Sequence, residues 1–148
     1  MTETSDSVAT QASALIGAAT IAGGSTGWLL SVGRLLASGG DQNVALYDTP
    51  GQAPEVKYLV DYPTFQIIVR GAIDDYAGAF RKAKQCKDLF LGMDPYTFSP
   101  SGDRWDGVTM LGDLAFLKYD DNSRPLWTGN YRVIVERATS TLSSRSTL

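Results

Sequence analysis

The segment Tyr62-Pro-Thr-Phe-Gln-Ile-Ile-Val-Arg-Gly71 decides the fold, because it is the clearest strand in the chain. Alternation along the segment places Phe65, Ile67 and Val69 on one face of a sheet. The opposite face carries Thr64, Gln66, Ile68 and Arg70. A strand with one fully apolar face needs neighbouring strands and a covering layer on that face.

The next segment, Ile73–Leu91, predicts an amphipathic helix that could supply this layer. Asp74 and Asp75 in the first turn suit the helix dipole, and Gly92 suits the helix end. The apolar residues recur at steps of three and four and form one stripe: Tyr76, Ala79, Phe80, Ala83, Cys86 and Phe90. Because Cys86 lies on the stripe, we expect its thiol to be buried rather than nucleophilic.

The rest of the chain predicts shorter elements. Val8–Ile21 is predicted to be a helix capped by Asp6 or Ser7, and the apolar piece Trp28–Leu36 a second short helical or loop-like segment. Met93–Gly112 is predicted to be mostly loop. Further strands and turns are predicted at Asn43–Tyr47, Asp48–Pro54 (turn), Leu114–Asp120, Asp121–Arg124 (turn) and Trp127–Glu136.

These elements predict an α+β fold class: a four-stranded antiparallel or mixed sheet with helices packed on one face and long loops at one end. Residues 8–137 are predicted to form a single α+β domain. Residues 1–7 are expected to be a flexible N-terminus, and the Ser/Thr-rich residues 138–148 a disordered tail.

The composition excludes most enzyme chemistry. The 148 residues include no histidine and one cysteine, which rules out His-dependent catalysis, His-ligated metals and an intrachain disulfide. A net charge of −3 argues against a nucleic-acid footprint. The uncharged stretch Ser7–Gly33 is too polar and too rich in glycine to span a membrane. We expect no cofactor, no metal, no specific nucleic-acid binding and no membrane contact, and folding in a reducing cytosol.

One pair of aspartates leaves a hydrolytic function open as a minor alternative. Asp103 and Asp106 flank Arg104 and Trp105, faintly like a carboxylate pair beside a sugar-stacking ring. Nothing in the sequence marks either aspartate as the proton donor. We therefore assign no catalytic residue and keep a small carboxylate-based hydrolase as the last alternative.

Long irregular segments carry a stronger functional signal. Thr49–Tyr58 and Asp94–Asp106 are the longest of them, and loops of this length in compact domains are usually functional or disordered. Aromatic residues are enriched at the centres of protein interfaces. We expect both segments to be intermolecular elements, although the second could instead fold back over the sheet. Their candidate interface residues are Pro50, Tyr58, Tyr96, Phe98 and Trp105.

Four stretches together resemble the tail terminator proteins of long, flexible-tailed bacteriophages, also called minor capsid or head–tail joining proteins. The resemblance runs from about Trp28 to Arg137 and begins with an N-terminal helix. It continues with Val44-Ala-Leu-Tyr-Asp-Thr-Pro-Gly51 and with Asp61-Tyr-Pro-Thr-Phe-Gln-Ile-Ile-Val-Arg70 before an amphipathic helix. It ends with Leu117-Lys-Tyr-Asp-Asp-Asn-Ser-Arg124 and Trp127-Thr-Gly-Asn-Tyr-Arg-Val-Ile-Val135. The long glycine-rich start departs from the family pattern.

This resemblance implies a structural virion protein without catalytic residues. Members form a ring, typically of six subunits, on the upper end of the tail tube. The ring stops polymerisation of the tube and joins the tail to the head. The implied partners are a second copy, the tail tube protein and the head–tail connector, and the implied locations are the virion tail and, before assembly, the host cytoplasm. A head-completion adaptor or a tail tube subunit is the alternative.

Charge suggests how copies of the chain could contact each other. The helix Ile73–Leu91 carries the basic residues Arg81, Lys82, Lys84 and Lys87, whereas Met93–Asp121 is rich in aspartate. Two different surfaces of opposite sign suit head-to-tail contacts that close into a ring. We expect Arg81 and Lys84 of one copy to face Asp103 and Asp106 of the next.

Overall fold

A computed structural model describes residues 3–139 and 142–148 of the chain. Within these residues, seven strands form one mixed sheet in the order β1-β2-β3-β7-β5-β4, and β6 also pairs with β7. The elements in chain order are α1 Val8–Ala18, β1 Leu29–Val32, β2 Asn43–Gln52, β3 Val60–Arg70, α2 Tyr76–Phe90, β4 Tyr96–Thr97, β5 Arg104–Met110, β6 Ala115–Tyr119 and β7 Pro125–Glu136. The fold class is α+β, as predicted, but the sheet is larger than the four strands expected.

Strand β7 organises the sheet because both of its edges are paired. Along one edge it is antiparallel to β3, from Val60 opposite Glu136 to Arg70 opposite Leu126. Along the other edge it pairs first with β6 and then with β5. The chain therefore runs along this edge of β7 in two strands, β5 and β6, which are separated by residues 111–114.

Both helices contribute to a single core against the same face of the sheet. The Ser7 hydroxyl accepts from the Thr10 N–H, so one of the two predicted residues caps α1. Helix α2 begins at Tyr76 instead of Ile73, so Asp74 and Asp75 precede its first turn, and the Asp75 carboxylate caps it by accepting from the Gly78 N–H. At the centre the rings of Phe65 and Tyr131 stack at 5.0 Å. The other buried core residues of the sheet face and helices include Val8, Ala12, Ile16, Val44, Leu46, Val69, Ala83, Cys86, Phe90, Trp105, Val133 and Val135.

Two segments predicted as helix or loop are strands. Part of the Trp28–Leu36 segment is β1, which runs parallel to β2 with Leu30 opposite Val44. The predicted loop Met93–Gly112 contains β4 and all of β5, which pairs with the far half of β7. Both predictions were wrong for the same reason: a short segment becomes a strand because a distant part of the chain satisfies its backbone groups.

Strands β2, β3 and β7 are longer than predicted, whereas β6 is shorter. Strand β2 continues through Pro50 and Gly51 to Gln52, into the predicted turn. The end of the sheet at which Val60 and Arg104 both pair with Glu136 also carries the β2–β3 connection. Neither α1, with 11 residues, nor α2, with 15, is long and apolar enough to cross a membrane, in the part of the chain that the structure describes.

The predicted apolar stripe of α2 is buried along only part of its length. Ala79, Ala83, Cys86 and Phe90 are buried, and burial of Cys86 confirms that prediction. In contrast, 45% of Tyr76 and 37% of Phe80 remain exposed. The reason is that these two residues lie beyond the covered part of the sheet, where their rings contact Trp127 at 5.1 and 5.0 Å.

We predict that Phe90→Ala lowers the free energy of unfolding by about 3–5 kcal/mol, because it opens a cavity in the aromatic core. Phe80→Ala should lower it by only about 1–2 kcal/mol, because solvent already reaches that ring. Urea unfolding of the two variants beside the original protein measures both. Equal losses would mean that the core does not centre on Phe90.

We also predict that the thiol of Cys86 is unreactive in the folded protein. Burial raises its pKa to about 12, so the thiolate that maleimides require is scarce at neutral pH. The rate of maleimide labelling should rise with urea in parallel with unfolding. Labelling of the folded protein as fast as free cysteine would contradict the assigned helix face.

Candidate interface surfaces

The β2–β3 connection, residues 53–59, projects from one end of the sheet. A bulge lies at its base, where the β2–β3 register shifts between Thr49 and Gln52. The Thr64 hydroxyl lies 3.0 Å from each of the Thr49 and Pro50 carbonyl oxygens there. A Cβ at Gly51 would lie 2.2 Å from the Tyr62 carbonyl oxygen, so only glycine lets β2 and β3 approach this closely.

The tip of this connection presents an apolar side chain to solvent. Val56 is 92% exposed, between the charged residues Glu55 and Lys57. Tyr58, a candidate from the sequence, is 37% exposed, and the Lys57 ammonium lies 5.4 Å from the centre of its ring. The structure thus places Pro50 near the end of β2 and Tyr58 on the projecting segment, with Val56 as the most exposed apolar residue of that segment.

A network of charged residues fixes this projecting segment to both ends of the chain. We call Asp61, Asp103, Arg137 and Arg145 the terminal clamp. Arg137 donates to Asp61 at 3.0 Å and to Asp103 at 3.0 Å, and Arg145 donates to Asp61 at 2.8 Å. Arg145 also donates to the carbonyl oxygens of Glu55 and Tyr58. Asp103 also accepts from the Ser5 hydroxyl, and Arg137 donates to the Asp6 carbonyl. The clamp therefore joins β3, the residue before β5, the projecting segment and both terminal segments.

The C-terminal segment supports the same end of the molecule. Ser146 forms an isolated parallel bridge with Tyr58, in which its carbonyl accepts from the Leu59 N–H at 2.8 Å. Disorder of residues 138–148 in the free protein, and flexibility of residues 1–7, stay predictions. Residues 140, 141, 1 and 2 lie outside the described residues.

Two of the sequence candidates, Asp103 and Trp105, lie inside the subunit, where neither side chain is exposed to a partner. Asp103 is fully buried and accepts hydrogen bonds from Ser5, Gln11, Arg137 and the Ala138 N–H. Gln11 in turn accepts from the Trp105 indole N–H at 2.9 Å. These bonds occupy the Asp103 carboxylate, so the expected contact of Asp103 with a neighbouring copy is wrong in this fold.

The second aspartate of that pair has a different environment. Asp106 receives a hydrogen bond from Arg104 at 2.9 Å and lies beside Glu136. The hydrogen bond with Asp106, followed by burial and by the negative charge of Asp106, raises the pKa of the Glu136 carboxyl above its ordinary value. Asp106 thus belongs to a surface cluster with Arg104 and Glu136, and it does not form a carboxylate pair with the buried Asp103. In the described residues no cluster of His, Cys, Asp or Glu is arranged to hold a metal ion.

The aromatic loop folds back in part. Phe98 packs on Trp105 with 5.4 Å between ring centroids, while Tyr96 covers Phe98 at 4.8 Å and stays 45% exposed. The sequence left open whether this loop folds back over the sheet or contacts a partner. Phe98 and Trp105 fold back over the sheet. Tyr96, on the edge strand β4, is the residue of this group that solvent still reaches.

The predicted basic strip of α2 is largely neutralised within the subunit. Lys84 pairs with Asp88 at 2.7 Å and Lys87 with Asp113 at 2.8 Å. Lys82 donates to the Ile21 carbonyl and lies 5.0 Å from the centre of the Trp28 ring, and desolvation lowers its pKa. Arg81 is exposed and forms no ion pair within the described residues.

Sequence reasoning did not single out an exposed group of aromatic rings at the other end of the sheet. We call Tyr76, Phe80, Phe116, Tyr119 and Trp127 the aromatic patch. Phe116 lies 4.9 Å from Tyr76, 5.3 Å from Tyr119 and 5.7 Å from Trp127. The aromatic residues of α2, β6 and β7 are visible in the sequence, but their proximity depends on the pairing of β6 with β7.

Comparisons with known proteins give a family match and a structural match. The family model described as "Bacteriophage tail terminator protein" matches residues 22–137. A chain in the solved structure titled "Virion of native gene transfer agent (GTA) particle" superposes with a TM-score of 0.57 at 19% identity. The alignment covers 89% of this chain and 87% of that chain, which shows a shared fold. No curated protein matches the sequence.

The terminal clamp predicts how the stability of the fold depends on pH. Burial would raise the pKa of Asp61, but the hydrogen bonds and positive charges of Arg145 and Arg137 outweigh it, so the pKa lies below its ordinary value of 3.8. The ionised Asp61 carboxylate therefore stabilises the folded state, and this contribution is complete above pH 3.8. It is lost as the pH falls through the pKa of Asp61 in the folded protein. Asp61→Asn should therefore cost about 1–3 kcal/mol at neutral pH, and the difference should shrink in acid.

Thermal or urea unfolding across pH measures this difference. Asp94→Asn is the matched control, because the exposed Asp94 carboxylate has no hydrogen-bond or ion-pair partner among the described residues. It should leave the unfolding free energy unchanged at neutral pH. A loss in Asp61→Asn that grows in acid would contradict the assigned role.

Proposed function

The chain belongs to the bacteriophage tail terminator protein family, and we propose that it forms a ring on the upper end of the tail tube. In this proposal the ring, expected to contain six subunits, stops polymerisation of the tube and joins the tail to the head. The match to the family model over residues 22–137 carries the proposal. It spans every strand of the sheet and α2, so it includes the whole framework that presents the candidate surfaces.

The protein is a structural component of the phage virion, and its family is one of structural proteins rather than enzymes. The position of Asp103 agrees with this, because its carboxylate is buried under four hydrogen-bond donors and is not open to a substrate. A carboxylate-based hydrolase that used Asp103 would first have to break these bonds. We therefore drop that alternative.

The partners that we propose are a second copy of the chain, the tail tube protein and the head–tail connector. We propose no specific nucleic-acid binding and no membrane contact, with assembly in the host cytoplasm and a final location in the virion tail. The exposed candidates from the sequence supply the contact surfaces in this proposal. They are Pro50 near the end of β2, Tyr58 on the projecting segment, Arg81 and Lys84 on α2, Tyr96 on β4, and the partly exposed Asp106 beside Arg104.

Geometry supports contact surfaces at more than one end of the subunit. The projecting segment extends from the end of the sheet that the terminal clamp holds, and α2 carries exposed charge along its outer face. A ring on a tube needs distinct surfaces for the neighbouring subunits, the tube below and the connector above. A rigid sheet with long connections at its ends can present them separately.

The test is loss of the gene in the virus that encodes the chain. A stop codon early in the gene should give tails of uncontrolled length without attached heads, seen by negative-stain electron microscopy. Supplying the intact gene in trans should restore tails of uniform length joined to heads.

Two other outcomes would assign a different virion role. Complete absence of tubes would favour a tube subunit, because the tube could then not polymerise. Tails of normal length beside heads that fail to join would favour a head-completion adaptor. Size-exclusion chromatography with light scattering adds a solution measurement, since a small closed oligomer supports a ring and an open-ended polymer supports a tube subunit.

A further inference from the structure

The aromatic patch has the properties of a protein docking surface. Tyr76 and Tyr119 are each 45% exposed and Phe80 is 37% exposed. The rings of Tyr76 and Phe80 lie on the buried Trp127, and those of Tyr76 and Tyr119 lie on Phe116. Contiguous exposed aromatic surface rimmed by polar residues marks an interaction site more often than a simple boundary with solvent. Its rings are held by core contacts, so little order would be lost on docking.

The rim of the patch is acidic. Asp121 lies in the turn that joins β6 to β7, and Asp74 precedes α2. The Asp74 N–H donates to the Ser123 carbonyl at 2.9 Å, which brings the two acidic positions to the same corner of the molecule. Both residues are exposed, and neither forms an ion pair within residues 3–139 and 142–148.

The same chain carries a complementary surface at its other end. Val56 is 92% exposed at the tip of the projecting segment, and the neighbouring Lys57 is exposed without an acidic partner among the described residues. Arg145 and Ser146 hold the backbone on either side of Val56 in place. Glu55, on the other side of Val56, accepts a hydrogen bond from the Tyr62 hydroxyl at 2.9 Å, so its carboxylate is held against the base of β3. The apolar Val56 and the cationic Lys57 are therefore the groups of the tip that suit an aromatic patch with an acidic rim.

These two surfaces are far apart on one subunit. The projecting segment lies at the Val60 end of β3 and the aromatic patch at the Arg70 end, where β7 begins. The length of β3 separates them by about 33 Å, at about 3.3 Å per residue. Surfaces on opposite ends cannot meet within one subunit but can meet between successive copies. A repeated contact of this kind is heterologous and closes into a ring if the rotation per subunit allows it.

We propose that the tip of the projecting segment, Glu55–Lys57, docks on the aromatic patch of the next copy of this chain in the ring. Val56 contacts the rings of Tyr76, Phe80 and Tyr119, and Lys57 pairs with Asp74 or Asp121. This inference rests on the proposed ring and identifies which surfaces of the subunits meet. It replaces the expected contact between α2 and Asp103, which burial of Asp103 excludes.

Cysteine cross-linking tests the contact directly, because the chain has a single cysteine and it is buried. One variant carries Val56→Cys and a second carries Tyr119→Cys, and the two are mixed and treated with a short bismaleimide. The matched control replaces Tyr119→Cys by Lys118→Cys. Lys118 pairs with Leu126 on the opposite face of the sheet from Trp127, so its side chain points away from the patch.

We expect a cross-linked dimer from Val56→Cys mixed with Tyr119→Cys, and little from either variant alone or from the Lys118→Cys mixture. The measurement is made on the oligomer in solution and on purified tails, and the original protein serves as the blank. In tails, a cross-link from Val56→Cys to the tube protein in place of a second copy would overturn the proposal.

A charge exchange tests the rim separately. Lys57→Glu should weaken association of subunits at least tenfold in sedimentation velocity, and Asp121→Lys combined with it should restore most of the loss. A merely structural role of Lys57 would show no such rescue. If rings form and cap tubes but neither the cross-link nor the rescue appears, the proposed contact between Glu55–Lys57 and the aromatic patch is wrong, while the proposed ring is supported. If the protein forms no ring in solution or on tails, both proposals fail.

Discussion

Strand β7 is hydrogen-bonded along both of its edges, to β3 on one side and to β6 and then β5 on the other. Through β3 and β5 these pairings also position β2 and β4, which pair with those strands. They bring Phe65 of β3 onto Tyr131 of β7 and Trp105 of β5 beside them, which builds the aromatic centre that α2 covers with Phe90. They also place the projecting segment and the aromatic patch at opposite ends of the same rigid strand pair.

The elements that local pattern specifies were predicted well, and those that long-range pairing specifies were not. Strand β3 and helix α2 each contain their own periodicity, so their existence and their buried faces follow from short windows of sequence. Strands β1 and β5 do not. Leu29-Leu-Ser-Val32 has only four residues and shows no alternation, and Arg104–Met110 contains Asp106 and Gly107 at a register shift. Each is a strand because β2 or β7 offers it unpaired backbone groups.

The candidate interface residues also fall into those that could be predicted from local sequence and those that could not. Exposure of Pro50, Tyr58 and Arg81 could be predicted, since prolines in turns and charges opposite an apolar stripe generally face solvent. The burial of Asp103 could not be predicted, because the hydrogen-bond donors that compensate for its buried charge are distant in sequence. They belong to Gln11 near the start of the chain and Arg137 near its end. A buried carboxylate needs such partners, and a single loop sequence does not reveal them. The aromatic patch was missed because its five rings come from three separate elements.

The terminal clamp links the stability of the subunit to its capacity to associate. Arg145 donates both to Asp61 and to the backbone of the projecting segment, so the charges that secure the C-terminal segment also hold the loop that presents Val56. A loop that is ordered before docking loses less conformational entropy when it binds. Weakening the clamp would therefore reduce association even with Val56 and the aromatic patch unchanged. A ring subunit without chemistry of its own depends on such preorganisation, because its activity consists of holding several surfaces in fixed relative positions.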